Sequence, residues 1–351
     1  MESVTIVEED VRRYLCVDEF MQTLVDARAL QSAFELGVID ALLKSRATPT
    51  ELAARLDTRP AGLAFLLDLL SVAGVIEQEE DGRVRLSGRF MGALEFRELL
   101  ETKLDFAGTV LPDFAELFTL LIARPEQFMR RSRTFNLFRY DRCFDPSPDN
   151  YHATRNWMRY TTALTRYEAR ACLRNHDFSP YRRLLDIGGN SGEFAFRICE
   201  QHPDIEATVF DLPLVCDIGA EHLKGLNAAG RVNFVKGDLR CDPLPGGQDA
   251  VTFKSFLHDW PESLALQFLA KAAEALRPGG TMVIFERASL RVNQAGMPYS
   301  MIPNLLFLHF FRDPRVYGEC LKRLGFESVE IKEIELEMPF NLVTATKRRH
   351  G

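Results

Sequence analysis

The sequence predicts an α/β protein: a parallel sheet covered by helices on both faces, preceded by a helical region that contains a winged helix. Three observations support this fold class. Short apolar runs alternate with amphipathic helices after residue 179, as in a buried parallel sheet. Two short helices and two short strands follow one another between Thr48 and Ser87. The 351 residues, 46% hydrophobic and 26% charged, suffice for two packed domains.

The first predicted elements form a helical N-terminal region. Residues 7–45 carry apolar side chains at spacings typical of one buried helix face. Thr48-Pro49 and Thr58-Arg59-Pro60 mark two helix starts, and Asp81-Gly82 marks a turn between two strands. The second helix of this winged helix offers no outward Arg, Asn or Gln to read base edges. We therefore interpret the module as an assembly platform and disfavour DNA recognition.

The remaining elements follow from residue 95 onward. Residues 95–175 are mostly helical and rich in aromatic side chains, most of which we expect in the core. Strands and helices then alternate, and two last strands are predicted to form an antiparallel edge. The predicted segments are 1–95 (helical and winged-helix domain), 96–178 (helical linker and substrate lid) and 179–351 (cofactor-binding domain).

Composition and charge exclude several classes of partner. The net charge of −7 at pH 7 disfavours nucleic acid, because affinity for it comes largely from neutralising phosphates. No apolar run approaches the roughly 20 residues of a membrane span, and the N-terminus lacks a signal-peptide pattern, so we expect a cytoplasmic protein without a membrane partner. The seven cysteines include no CxxC pair and the seven histidines no HxxxH pair, so we expect reduced thiols and no metal site.

The candidate cofactor site lies at the carboxyl ends of the predicted strands, where open α/β sheets bind ligands. The first strand leads into a glycine turn, Gly188 to Gly192, which permits close approach of a ligand to the backbone. The second ends at Asp211, placed to accept hydrogen bonds from ribose hydroxyls, unless it only caps the next helix. The third ends at Asp238, where an adenine amine fits. Together the three strand ends predict an adenosine-containing cofactor.

The candidate chemistry lies at the next two strand ends. His258 follows the fourth strand at the mouth of the predicted cofactor site. Glu286 ends the fifth strand, where it would orient and partly charge His258; the alternative is an ion pair with Arg287 or another surface base. Asp259 is followed at a helix-capping distance by Glu262, so we interpret it as a cap without a catalytic role.

Residues 180–290, with LLDIGGNSG, VFDLP, KGD, HDWPE and LRPGG, resemble the S-adenosylmethionine (SAM)-dependent small-molecule O-methyltransferases, the class of the caffeate, hydroxyindole and bacterial polyketide enzymes. The N-terminal region resembles the dimerisation domain of that class. The resemblance implies a Rossmann-like class I methyltransferase domain with an N-terminal helical and winged-helix dimerisation domain. It also implies a homodimer that uses SAM as cofactor and releases S-adenosylhomocysteine.

The resemblance assigns roles to individual residues. His258 would be the general base, and Met158 would lie near the transferred methyl group. The implied cofactor-binding residues are Gly188, Gly189, Asp211, Leu212, Asp238, Leu239, Lys254 and Ser255. We expect the substrate pocket to be walled by Trp157, Met158, Met301 and Phe307.

Two departures from the family pattern affect the site. Asn190 replaces a glycine, which we expect to be tolerated because Asn adopts left-handed backbone angles more readily than most residues. The segment 304–319 lacks the family's second acid flanking the histidine, and Asp313 is the candidate substitute. Arg312 beside it is either a partner for a substrate carboxylate or a solvated surface arginine.

The sequence thus predicts an enzyme that methylates a hydroxyl group of an aromatic, phenolic, polyketide-like natural product. The altered acid segment leaves a second hypothesis, C-methylation of an enolisable or tetrapyrrole substrate on the same fold. A third, a winged-helix regulator with a vestigial domain, is disfavoured by the acidic net charge and by His258.

Overall fold

The computed structural model describes residues 4–6, 9–292 and 296–349. The chain forms two compact units. One, here called the helical unit, comprises Arg13–Phe118 and Val292–Pro303. The other, the sheet unit, comprises Met1–Arg12, Thr119–Arg291 and Asn304–Gly351. The predicted middle segment, 96–178, is therefore divided between the two units.

The described residues contain ten strands and fourteen α-helices. The strands are β1 (Val4–Ile6), β2 (Ile76–Gln78), β3 (Val84–Leu86), β4 (Arg183–Ile187), β5 (Glu206–Asp211), β6 (Val232–Lys236), β7 (Gln248–Lys254), β8 (Leu276–Arg287), β9 (Phe326–Glu335) and β10 (Pro339–Lys347). The α-helices are α1 (Glu9–Arg12), α2 (Leu24–Glu35), α3 (Val38–Lys44), α4 (Pro49–Arg55), α5 (Pro60–Val72), α6 (Gly88–Ala93), α7 (Arg97–Ala123), α8 (Pro125–Arg131), α9 (Pro148–Asn175), α10 (Glu193–Gln201), α11 (Pro213–Leu223), α12 (Glu262–Ala275), α13 (Ile302–Leu305) and α14 (Pro314–Arg323).

The helical unit contains the predicted winged helix. Thr48 and Glu51 form a reciprocal capping box at the start of α4, with N···O distances of 3.2 and 2.8 Å. Helix α5 follows, and β2 and β3 pair as an antiparallel hairpin whose turn contains Gly82 at φ 78°. The predicted helical stretch 7–45 is interrupted, because a 3₁₀ helix covers Arg13–Phe20 and Gly37 at φ 77° separates α2 from α3.

The expectation that no segment is long and apolar enough to span a membrane is wrong for one helical stretch. Residues Gly88–Ala123 are long and apolar enough to cross a membrane by length and composition, with a mean hydropathy of 1.5 in the best window. Only 28% of that window is buried. A single such helix is weak evidence for a span, because helices of soluble proteins also pass this test.

The sheet unit is built on an eight-stranded sheet of order β1-β9-β10-β8-β7-β4-β5-β6. Strands β4 to β8 are parallel, and β10 is antiparallel to both β8 and β9, which confirms the predicted sheet and its antiparallel edge. Strand β1 pairs with β9 and was not predicted. From β4 the chain builds outward through β5 and β6, then returns to build the other side through β7 and β8. The carboxyl ends of β4 and β7 therefore flank the switch point where such sheets bind ligands.

Candidate active site

The turn after β4 has a backbone that requires small residues. Gly188 lies at φ +66°, and a Cβ there would be 2.1 Å from the Phe256 ring. A Cβ on Gly189 would be 2.5 Å from Asp186 Oδ2. Asn190 adopts φ 56°, so the expectation that asparagine takes the left-handed conformation is confirmed. The turn keeps the backbone close to the ends of β4 and β7.

Asp211 faces this turn from the end of β5. Its carboxylate accepts hydrogen bonds from the backbone N–H groups of Asn190 (2.8 Å) and Leu212 (2.7 Å). Burial raises the pKa of Asp211 to about 6. The alternative interpretation as a helix cap is wrong, because Leu212 is the N-cap of α11 and makes no side-chain cap bond.

Asp238, beyond the end of β6, is engaged by a neighbouring arginine. The Arg240 guanidinium donates to both carboxylate oxygens of Asp238 at 2.7–3.0 Å and lowers the pKa of that carboxyl. Arg240 also lies over the Trp260 ring, 5.8 Å from its centroid. Leu239 is buried, and its carbonyl accepts from the Lys271 ammonium at 2.8 Å.

The side chains of the predicted cofactor residues Lys254 and Ser255 bind other protein groups. The Lys254 ammonium donates to Thr165 Oγ1 at 2.8 Å and to the buried carboxylate of Glu168 on α9. Burial lowers the pKa of Lys254. Ser255, at φ 49°, accepts a hydrogen bond from Arg287 at 2.8 Å, and Arg287 also pairs with Glu168. Their contact with the cofactor stays a prediction.

His258 lies in a 3₁₀ turn, Leu257–Asp259, directly after β7, and is 6% exposed. Its Nδ1 lies 2.6 Å from Glu286 Oε2. The other oxygen of Glu286 accepts from the backbone N–H groups of Phe256 (2.7 Å) and Leu257 (2.6 Å). Glu286 therefore holds both the turn and the imidazole.

The electrostatics of this pair differ from those of free side chains. Burial by itself lowers the pKa of His258, but Glu286 and Asp259 together raise it above its ordinary value. Burial opposes ionisation of Glu286, yet His258 and two backbone N–H groups hold the pKa of Glu286 below its ordinary value. Arg287, the alternative partner of Glu286, binds Glu168 and Ser255.

The structure shows that Asp259 is not the cap of the following helix. Helix α12 has Pro261 as its N-cap, without a side-chain cap bond. Asp259 Oδ1 instead lies 3.5 Å from His258 Nε2, and its Oδ2 accepts a hydrogen bond from the Tyr140 hydroxyl at 2.7 Å. Burial raises the pKa of Asp259. The adjacency of Asp259 to His258 was a usable signal, whereas nothing in the sequence distinguished Tyr140 from its many aromatic neighbours.

The position of Asp313 in the structure contradicts its predicted catalytic role. Asp313 caps α14, accepting from the backbone N–H of Arg315 at 2.9 Å, and pairs with the Arg315 guanidinium while 42% exposed. Within the described ranges, the carboxylates within 4.0 Å of the His258 nitrogens are those of Asp259 and Glu286. The carboxylate that approaches His258 Nε2 is that of the neighbouring residue in the chain, Asp259, and not that of Asp313.

Arg312 fits neither alternative raised for it. Its guanidinium donates to the Leu257 carbonyl at 2.7 Å and to the Trp260 carbonyl. It also approaches the Tyr317 hydroxyl at 3.4 Å. Leu257 and Trp260 lie on either side of His258 and Asp259 in the chain, so these hydrogen bonds hold the turn that contains both residues.

Replacing Asp313 with alanine should leave the catalytic rate unchanged and lower the free energy of unfolding by about 0.5–2 kcal/mol, the usual cost of losing an N-cap. Initial rates and urea unfolding of the same preparation measure both quantities. Asp313→Asn keeps a capping side chain and should stay close to the wild-type stability. A large loss of rate with Asp313→Asn would restore the catalytic interpretation.

Aromatic rings surround the imidazole. The Phe307 ring centroid lies 5.9 Å from that of His258, and the Phe311 centroid 5.6 Å. Phe138 contacts both Phe307 (5.4 Å) and Trp157 (6.1 Å). The predicted wall residues Trp157 and Phe307 thus belong to one aromatic cluster next to His258.

The two predicted methionine positions lie in different units. Met158 is 2% exposed and packs in a cluster with Trp157 and Leu214 of α11. Met301 ends a 3₁₀ helix, Tyr299–Met301, in the helical unit. The role of each in substrate binding stays a prediction.

Three comparisons relate the chain and its fold to known proteins. The profile of the O-methyltransferase domain matches residues 129–327, and that of the O-methyltransferase dimerisation domain matches residues 18–90. The 3-hydroxy-5-methyl-1-naphthoate 3-O-methyltransferase of Streptomyces sahachiroi is 32% identical over 269 residues, 74% of this chain and 73% of the relative. The N,N-dimethyltransferase OxyT of Streptomyces rimosus is 32% identical over 266 residues, 74% of each chain. The structure of the mitomycin 7-O-methyltransferase MmcR superposes with a TM-score of 0.70 at 22% identity, covering 92% of this chain and 94% of that one.

The switch-point sheet, the glycine turn and the acids at successive strand ends define an α/β enzyme that binds an adenosyl cofactor. The chain belongs to the family of SAM-dependent O-methyltransferases that carry an N-terminal dimerisation domain. The predicted family, fold class and cofactor are therefore confirmed.

The described residues fit SAM. Asp186, below the glycine turn, is fully buried; its Oδ1 accepts from Thr252 at 2.6 Å, while its Oδ2 has no hydrogen-bond partner among the described atoms. Burial raises the pKa of Asp186 to about 7. SAM carries an ammonium group, ribose hydroxyls and an adenine amine, all of them donors for the carboxylates of Asp186, Asp211 and Asp238.

Proposed function

We propose that this enzyme transfers the methyl group of SAM to a hydroxyl group of a planar aromatic, polyketide-like small molecule, with His258 as general base. The observation that carries the proposal is the buried imidazole, bound through Nδ1 to Glu286 at 2.6 Å. The aromatic rings of Phe307 and Phe311 beside it favour a flat apolar acceptor. The naphthoate in the name of the Streptomyces sahachiroi relative supports the same class.

The mechanism follows from the two hydrogen-bonding sides of the imidazole. SAM supplies a methyl group already activated on a sulfonium sulfur, so the protein has to align the acceptor and remove its proton. Because Nδ1–H donates to Glu286, Nε2 is left as the atom that takes the hydroxyl proton. Glu286 then stabilises the imidazolium that forms. Phe307 and Phe311 limit the access of water to the ring.

In this proposal, the residues at the carboxyl ends of the strands bind the cofactor. We assign the ribose hydroxyls to Asp211 and the adenine amine to Asp238, with Gly188 and Gly189 providing the close backbone approach. Asp238 shares its carboxylate with Arg240 in this structure. Leu212, Leu239, Lys254 and Ser255 complete the proposed set.

C-methylation is the alternative, and labelling separates the two. Its support from the sequence is that segment 304–319 lacks the family's second acid. Asp259, which belongs to the HDWPE motif, lies 3.5 Å from His258 Nε2. Incubation with methyl-labelled SAM and a panel of hydroxynaphthalenes should give label that an ether-cleaving reagent removes. Label that survives this treatment would establish C-methylation and overturn the proposal.

We also propose that the chain is a cytoplasmic homodimer assembled through the helical unit. The dimerisation-domain match lies in this unit, and Val25, Phe65 and Val72 are 54%, 65% and 88% exposed there. Apolar side chains this exposed favour coverage by a second copy. Light scattering during size exclusion should give twice the chain mass, and a monomer would contradict the proposal.

The pH dependence of the rate should report the charge around His258. A general base works when deprotonated, so kcat/KM should rise with pH through the pKa of His258, which is raised above 6.5. Glu286→Gln removes a negative charge that stabilises the imidazolium, so the acidic limb should move to lower pH. Rate profiles from pH 5 to 9 measure this. If the acidic limb of the profile does not move in Glu286→Gln, His258 is not the group that removes the proton.

A further inference from the structure

Tyr140, 119 residues before Asp259 in the chain, contacts the 3₁₀ turn Leu257–Asp259 that contains His258. It begins a 3₁₀ helix, Tyr140–Phe144, and its hydroxyl donates to Asp259 Oδ2 at 2.7 Å. Its ring stacks on Trp260 with centroids 5.7 Å apart and an interplanar angle of 27°. The hydroxyl is therefore held in place by ring stacking as well as by its hydrogen bond.

The other oxygen of Asp259 lies just outside hydrogen-bond contact with the base. Asp259 Oδ1 is 3.5 Å from His258 Nε2, whereas charge-assisted hydrogen bonds of this type are about 2.7–2.9 Å long. A carboxylate at this position stabilises a positive imidazole without binding it. If the carboxylate moved closer, a bond to Nε2 would keep the proton there and block the atom that has to meet the acceptor hydroxyl.

We propose that Tyr140 is a positioning residue that restrains the Asp259 carboxylate and so keeps His258 Nε2 free for the acceptor. The inference rests on the proposed role of His258 as base. The bond to Tyr140 occupies Oδ2 and fixes the rotation of the carboxylate. Without it, the attraction between Asp259 and the imidazolium would draw the two side chains together.

The other charged groups around the base are already held by different partners. They are Glu286 and Arg287 of β8 and Arg312 before α14. Glu286 binds the opposite nitrogen and two backbone N–H groups. The Arg312 guanidinium binds the carbonyls of Leu257 and Trp260. The hydrogen bond from Tyr140 is thus the contact that sets the position of Asp259.

The test is Tyr140→Phe, which keeps the ring and removes the hydroxyl. NMR titration of the full chain labelled with ¹³C-histidine follows the imidazole, and His258→Gln identifies its signal. The pKa of His258 should rise in Tyr140→Phe, moving the acidic limb of the rate profile upward by about one pH unit. Turnover of a hydroxynaphthalene below that limb should then fall about tenfold.

Two further variants show whether the effect passes through Asp259. Asp259→Asn should lower the pKa of His258, and adding Tyr140→Phe to it should cause no further change. Tyr151→Phe removes a similar hydroxyl–carboxylate bond, to Glu221 of α11, and should leave the His258 signal unchanged.

Specific outcomes would overturn this role. An unchanged or lower pKa of His258 in Tyr140→Phe would do so, as would the same rise in the Asp259→Asn background. Thermal unfolding of each variant identifies a loss of structure, which would act on all histidine signals together. The titration needs no turnover, so it stands apart from the test of His258 as base.

Discussion

His258→Ala should lower the rate of methyl transfer by about 10²–10⁴, the usual contribution of a general base, and leave the affinity for SAM nearly unchanged. A phenol has a pKa near 10, so at neutral pH its proton has to be removed as the methyl group is transferred. Alanine removes the acceptor nitrogen. It leaves Asp211, Asp238 and the glycine turn intact.

Steady-state rates with a hydroxynaphthalene, together with calorimetric titration of SAM, measure the two effects separately. His152→Ala is the matched control, because His152 is an exposed histidine of α9. Near wild-type turnover in His258→Ala would assign proton removal to another group. A parallel loss of SAM affinity would show instead that the substitution disturbs the cofactor site.

The parts of the site that follow strand ends could be predicted from the sequence. The carboxyl ends of parallel strands meet at one edge of the sheet, so the sequence alone predicts that Asp211, His258 and Glu286 lie close together. The Glu286 contact with His258 needed only the assumption that β7 and β8 are neighbours, and the two strands do pair in parallel. Sheet topology therefore carries much of the information about this site.

The contacts between helices and strand ends could not be predicted. Tyr140 and Asp259 lie 119 residues apart, and no periodicity relates them. The expectation for Asp313 was wrong because a carboxylate near the right place in the sequence formed a local cap instead. Arg312 likewise binds backbone carbonyls, which have no sequence signature. For Tyr140 and Arg312 the partner is set by tertiary packing, whereas Asp313 is held by the local cap.

The contact of Lys254 with Glu168 is another such case, and it has consequences for stability. Lys254 ends β7, Arg287 ends β8, and both cations bind the Glu168 carboxylate, which is 1% exposed. Helix α9 is thereby tied to β7, which leads into the turn with His258, and to β8, which carries Glu286. One carboxylate is thus shared by two cations in a buried place, where an unpaired charge is costly.

Glu168→Ala should therefore lower the free energy of unfolding of the sheet unit by about 3–5 kcal/mol, the cost of breaking a buried pair by removing one partner. Denaturant unfolding, followed by fluorescence and circular dichroism, measures the change. Glu200→Ala breaks an ion pair of α10 with Arg197, in which the glutamate is 48% exposed, and should change stability by less than about 1 kcal/mol.

Replacing all three groups distinguishes charge compensation from packing. Glu168→Leu with Lys254→Met and Arg287→Met removes the buried charges while keeping much of the volume, and should be more stable than Glu168→Ala alone, because no cation is left uncompensated. If Glu168→Ala were no more destabilising than Glu200→Ala, water would be reaching Lys254 and Arg287 and the buried pairing would be energetically unimportant. If instead the triple variant were the less stable, geometry at the strand ends would matter more than charge. The arginine's bond to Ser255 would then be the contact to examine, because it lies between the glutamate cluster and the turn that carries His258.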